Sequence, residues 1–133
     1  DIAKSFSKRY GMRTIALRIC MVFFPERMDF YKSAIEKGEG WLWYNDVRDV
    51  AQAFRLALEA KELKNYEVFC ICAADNGTKF DSIELVKRHF SDKIIFQKEI
   101  RGRQSLYDWS KAKALLGYQP RYTLRDYIPS ISD

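Results

Sequence analysis

The chain has 133 residues, with 23 Lys+Arg against 18 Asp+Glu and a formal charge of +5 when the single His89 is neutral; this is one domain's worth of polypeptide. An apolar share of 47%, with nine Phe, eight Tyr and three Trp, excludes a disordered tail, and three prolines and six glycines exclude a collagenous or low-complexity chain. An uninterrupted apolar run such as residues 19–24 is far short of the roughly 20 residues of a spanning helix, and no signal pattern opens the chain, so a soluble, cytoplasmic protein is expected.

Ile2, Ala3, Phe6 and Tyr10 recur at helical spacing before Gly11, which predicts a helix over residues 1–10 whose true start lies upstream. Residues 14–24 are apolar on both faces except at Arg18, the pattern of one strand buried in a parallel sheet and ended by Pro25. A helix over residues 26–37 carries Met28, Tyr31 and Ile35 on one face, and residues 41–44 read as a short aromatic strand or extended loop. The clearest helix follows Asn45 or Asp46, with Asp49 completing an approximate capping box. Its apolar stripe is Val47, Val50, Ala51, Phe54 and Leu58, leaving Arg48, Gln52, Arg55 and Glu59 outward.

Residues 66–74 predict a second strand buried on both faces, ended by Asp75-Asn76-Gly77, a turn at the strand end where α/β proteins hold ligands. Thr78 or Asp81 caps a helix through Ile83, Val86 and Phe90, and Lys87, Arg88 and His89 stand at its negative end. That setting makes His89 a dipole-facing or surface residue rather than a base. A short strand is expected over residues 93–97 and a last helix over residues 110–116, closed by Gly117 and Pro120. The alternation predicts an α/β architecture, a Rossmann-like parallel sheet with flanking helices, as a single unit over residues 1–133.

Chemistry is sparse. Cys70 and Cys72 alternate onto one face of a strand and Cys20 is distant in sequence, so the three read as reduced buried thiols, short of the four ligands of a zinc site; no metal is expected. The basic residues are interleaved with acids, which makes nucleic acid an unlikely partner. No Gly-x-Gly-x-x-Gly follows a strand, no phosphate loop is present and no nucleophile elbow occurs. Arg101-Gly102-Arg103 is the suggestive feature: two guanidiniums around a flexible residue either clamp an anion or form a solvated loop.

Three blocks carry a resemblance. Residues 8–18 (KRYGMRTIALR), 43–53 (WYNDVRDVAQA) and 108–120 (DWSKAKALLGYQP) resemble, in this order and spacing, the C-terminal half of the NAD-dependent epimerase/dehydratase family, the extended short-chain dehydrogenases. The resemblance implies a fragment, the substrate-binding part of a larger enzyme, whose Gly-rich NAD loop and catalytic Tyr-x-x-x-Lys lie upstream. It implies no catalytic residue in this chain, poor NAD binding by the chain alone, Ile19 and Cys20 beside the cofactor of the intact enzyme, and Met21, Arg101 and Arg103 at the substrate. The expected partners are a small sugar or sugar nucleotide and a second copy of the chain, with no membrane. Met21 stands where sugar-nucleotide members carry Asn, and Leu42 where many carry a diphosphate-binding Arg. Both changes turn the expectation toward a smaller substrate such as a free uronic acid. Two other readings are a non-catalytic family member that binds a nucleotide or protein, and a basic nucleic-acid-binding domain.

Overall fold

A computed structural model describes residues 2–39, 43–90 and 94–132. Two strands form the larger sheet: β1 (Thr14–Ile19) runs parallel to β4 (Tyr66–Ile71), Thr14 opposite Tyr66 and Ile19 opposite Ile71. A second, two-stranded parallel sheet joins β2 (Met21–Phe23) to β3 (Tyr44–Asp46). Five helices flank them: α1 (Ile2–Tyr10), α2 (Met28–Lys37), α3 (Val47–Glu59), α4 (Ser82–His89) and α5 (Ser110–Leu116).

The single strand predicted over residues 14–24 is therefore two strands with a change of partner at Cys20. The Ile71 carbonyl accepts both from the Cys20 N–H at 3.2 Å and from Asn45 Nδ2 at 2.8 Å. Asn45 thus fills the parting between the two sheets, and the Ala73 N–H donates across it to the Tyr44 carbonyl at 2.8 Å. Backbone groups left by one ladder are satisfied by the next, as buried peptide groups must be.

The odd-numbered residues of β1 and β4 pack onto α3 and α5. Phe69 and Ile71, with half-buried Ile15, Leu17 and Ile19, meet Ala53, Ala112, Leu116 and Tyr118. The even-numbered face is half-buried: β4 alternates strictly between half-buried and buried residues, which corrects the expectation of burial on both faces. A second core joins Phe23, Met28, Ile35, Tyr44 and Ala73 to Leu124, Ile128 and Ile131. Leu124 and Ile131 come from a pair of 3-10 turns, Leu124–Asp126 and Pro129–Ile131, and Ile128 from the link between them; the turns are too short for periodicity to reveal.

Several local expectations change. The helix predicted from Glu26 begins with a 3-10 turn, Pro25–Arg27, and becomes α-helical only at Met28. α3 is capped by the Asp46 carboxylate, which accepts from the Arg48 N–H at 2.9 Å. Asp49 closes no capping box; its carboxylate instead accepts from the backbone N–H groups of Arg121 and Tyr122 at 3.0–3.1 Å. α3 buries Asp49, Ala53 and Ala57, while Phe54 is 50% and Leu58 83% exposed. The large apolar stripe read as the core face looks outward because the small side chains let the helix approach the sheet closely. α1 repeats this: Ile2, Phe6 and Tyr10 are exposed, and the buried residue is Ser7, whose hydroxyl donates to the Asn65 carbonyl. α4 is capped by Asp81 and buries Leu85 with Val86, whereas Phe90 is exposed. Residues 94–97 form no strand, and residues 41, 42 and 93, also read as extended, lie outside the described residues. The helix over residues 110–116 is present as expected, with Gly117 left-handed at φ 72°.

Candidate functional site

The carboxyl ends of β1 and β4 point to one region, the ligand end of a parallel sheet. There the turn after β4 is built around Asp75. Its carboxylate accepts from the Tyr44 hydroxyl at 2.6 Å, the Thr123 hydroxyl at 2.9 Å and the Gly77 N–H at 2.9 Å, and it pairs with Arg125 at 3.1 Å. Burial, then the charge of Asp75, holds the Tyr44 phenol well above the ordinary tyrosine value. This network joins β3, the β4 turn and the C-terminal segment. It is a fixed scaffold for the strand ends.

The Arg101–Ser105 loop is sewn to the same turn. The Ser82 N–H donates to the Gly102 carbonyl and the Asn76 N–H to the Arg103 carbonyl, both at 2.8 Å, and the Ser105 N–H donates to the Ala74 carbonyl at 2.9 Å. Both sequence-predicted arginines therefore stand on backbone anchored at the strand end. Their side chains diverge in partner: Arg101 makes a bidentate pair with Glu99 at 2.8–2.9 Å on the surface, and Arg103 Nη1 donates to the Ile131 carbonyl at 3.4 Å. An anion at Arg101 would have to displace Glu99. Met21 is 39% exposed and sits in register with Tyr44. Leu42 lies outside the described residues.

Cys20 is joined to this loop through the other thiols. The Sγ atoms of Cys20, Cys70 and Cys72 all lie within 4.8 Å of one another, Cys20 and Cys70 half-buried and Cys72 buried. This corrects the reading of Cys20 as remote: the parallel register sets Arg18 opposite Cys70 and Ile19 opposite Ile71, so the next step brings Cys20 beside Cys72. The Ser105 hydroxyl donates to Cys72 Sγ at 3.6 Å, and the Cys72 thiol donates to the Tyr107 carbonyl at 3.4 Å. Hydrogen bonds from Cys20 and then Cys72 pull the Cys70 thiol down to about 3, helped by Arg18. Donation to Cys70 pushes Cys20 up to about 12, and its two thiol neighbours and burial raise Cys72.

A cleft of about 630 Å³ opens beside the loop, lined by Phe90, residues 94–100, residues 104–110 and Lys113. Its lining mixes apolar side chains such as Ile94 and Phe96 with polar ones such as Gln97 and Gln104, and Lys98 pairs with Asp108. That pairing, ahead of the Ser110 hydrogen bonds, lowers Asp108 to about 2. None of Ile19, Cys20, Met21, Arg101 and Arg103 lines the cleft. The sequence reading had treated residues 93–97 as a strand and so missed this wall. A shallower depression of about 280 Å³ gathers Arg48, Arg55 and Arg121. Arg48 lies 3.4 Å over the Tyr122 ring and pairs with Asp46, and Arg55 pairs with Glu59.

The turn after β4 does not fit a dinucleotide pyrophosphate. A dinucleotide pyrophosphate needs a glycine-rich turn that opens a helix, and the turn after β4 holds one glycine, Gly77. A Cβ there would stand 2.7 Å from Leu124 and 2.8 Å from the Tyr44 ring, so side chains of the core already fill that approach.

No family model matches the sequence, and no curated protein does. Solved structures do. UDP-glucuronic acid 4-epimerase from Bacillus cereus, in complex with UDP-glucuronic acid and NAD, is 22% identical with a TM-score of 0.56; the match covers 98% of this chain and 47% of that one. UDP-N-acetylglucosamine 4-epimerase from the same organism is 18% identical at a TM-score of 0.58, over 98% of this chain and 47% of that one. UDP-glucose 4-epimerase from Thermotoga maritima, with UDP-glucose, is 24% identical at 0.54, over 96% and 47%. The chain spans about half the length of these enzymes and shares their Rossmann-like fold, a parallel α/β arrangement flanked by helices.

Proposed function

We propose that this chain is the substrate-binding half of an NAD-dependent enzyme that epimerises, dehydrates or oxidises a sugar or sugar nucleotide. The observation that carries the reading is the change of partner at Cys20–Met21, set beside an arginine loop anchored at the carboxyl end of β4. The fold shared with one half of three UDP-sugar epimerases supports it. In the intact enzyme NAD supplies hydride transfer and an upstream tyrosine the base. Ile19 and Cys20 border the nicotinamide, Met21 forms an apolar wall of the pocket, and Arg101 or Arg103 holds the substrate's anionic end. Met21 offers no amide hydrogen bond to a sugar nucleotide, which favours a compact anionic sugar over a nucleoside diphosphate sugar. The chain is expected to work as a homodimer in the cytoplasm and to bind no membrane.

Replacing Arg101, Arg103 or both with Met in the intact enzyme removes a charge-assisted contact worth roughly 1.5–3 kcal/mol. Because that contact precedes hydride transfer, KM should rise about ten- to hundredfold with kcat nearly unchanged. Unaltered KM in both single variants and the double variant would return the arginines to a solvated loop. For the isolated 133 residues, calorimetry should detect no micromolar NAD affinity; finding it would contradict the assignment as a half-site.

A further inference from the structure

Three thiols from two neighbouring strands converge on the half-open face of the larger sheet, where no step of the proposed sugar chemistry uses them as a group. We infer that Cys20, Cys70 and Cys72 form a three-coordinate site for a soft, thiophilic monovalent ion of the Cu(I) kind.

Geometry carries the assignment. An ion at the centre of three sulfurs 4.8 Å apart would stand about 2.8 Å from each, whereas the zinc–thiolate bond of about 2.3 Å sets the scale of a metal–thiolate contact and places the sulfurs about 4.0 Å apart in a planar trigonal site. The Sγ atoms already lie within 4.8 Å of one another, so closure requires movements below about 1 Å, within the reach of small χ1 adjustments. The donor set is all sulfur, the choice of soft ions. The group of neighbouring His, Cys, Asp and Glu ligands found among the described residues contains these three cysteines alone, so a tetrahedral ion finds no fourth ligand of these types there while a trigonal one finds its complement.

The surroundings suit the ion as well. Cys72 is buried and fixed by Ser105 and Tyr107, which gives the site a rigid floor, and half-buried Cys20 and Cys70 leave an entrance from the sheet face. Arg18, opposite Cys70 in the register, offsets the negative charge that three thiolates leave around a single positive ion. On binding, the thiol protons pass to solvent and no electron is transferred.

The test is an anaerobic titration of the full chain with Cu(I) in the presence of a chromophoric Cu(I) chelator, paired with alkylation of the thiols and mass mapping. One Cu(I) per chain should be withdrawn from the chelator, and Cys20 and Cys70 should become protected from alkylation. Cys20→Ser and Cys70→Ser should each lose more than the roughly 10- to 100-fold in affinity that even an outer-shell partner costs. Wild-type affinity in either variant, or free alkylation of Cys20 and Cys70 in the copper-loaded chain, overturns the site. The same titration with Zn²⁺ should show weaker binding; Zn²⁺ held more tightly than Cu(I) overturns the ion class. Should a variant fail to fold, the protection measured on the wild-type chain decides alone.

Discussion

Two regions of this molecule are built from the same kinds of residue and finished differently. Around Phe23, Tyr44 and Ile128 the large aliphatic and aromatic side chains of the core are buried, with Tyr31 and Tyr127 half-buried against them, and the C-terminal segment with its 3-10 turns packs over it. Around β1 and α3, Ile15 and Leu17 remain half-buried, Phe54 and Leu58 project outward, and together with Ala57 and Arg13 they border an open groove of about 380 Å³. β1 pairs with β4 along one edge, and no described strand pairs with its other edge. The difference teaches where the molecule is self-sufficient: the core around Phe23, Tyr44 and Ile128 closes within the chain, whereas the sheet side presents an apolar face and a strand edge with no described partner, which favour association.

The comparison can be broken first at the closed core. Phe23→Ala removes a ring that meets Tyr31 and Tyr44 edge-on and should cost about 3–5 kcal/mol in urea unfolding. A loss below about 1 kcal/mol would mean the core is no tighter than the open face. Next, Asp49→Ala leaves the Arg121 and Tyr122 amides without their acceptor, an expected loss of about 1–3 kcal/mol, read by the same melts; a neutral result would show water replacing the carboxylate.

Two buried phenols, Tyr44 in the closed core and Tyr118 in the core under the larger sheet, should shape the alkaline limb of stability. Burial holds the phenols of Tyr44 and Tyr118 above the ordinary tyrosine value of 10.0. With the folded value raised, both contributions are fully present below that pH and are lost as pH rises beyond it, because only the unfolded chain then ionises. Melts across this range should show a decline that Tyr118→Phe makes shallower. Equal slopes in wild type and variant would discard the linkage.

The smallest effect on stability belongs to the open face. Phe54→Glu with Leu58→Glu should move the unfolding free energy by no more than about 0.5 kcal/mol while shifting sedimentation from self-associated to monomeric chain. A wild-type chain that is monomeric at high concentration would contradict the reading of this face.

The same contrast explains what could be read without coordinates. α5 and its Gly117 stop were legible because helix, cap and left-handed residue are neighbours in sequence. α3 was legible in extent and misread in facing: it carries a stripe of large apolar residues ending at Leu58 and a stripe of small ones through Ala53 and Ala57, and only packing distance to the sheet chooses between them. The parting at Cys20 depends on Asn45, a residue twenty-five positions away that periodicity treats as a cap. The thiol cluster was hidden for the same reason, since parallel pairing joins Cys20 to Cys72 across an intervening helix pair. Arg101 and Arg103 were legible as a motif, but Glu99, two residues from Arg101, was not weighed as its resident partner.

Hydrogen exchange followed by mass spectrometry at two protein concentrations reads both regions in one molecule. Amides of residues 14–19 in β1 and the peptides carrying Phe54 and Leu58 should exchange more slowly as concentration rises, while those of residues 44–46 and 124–131 stay equally protected throughout. Concentration-independent exchange along β1, or protection of residues 124–131 that grows with concentration, would contradict the division of this chain into a finished core and an open sheet face.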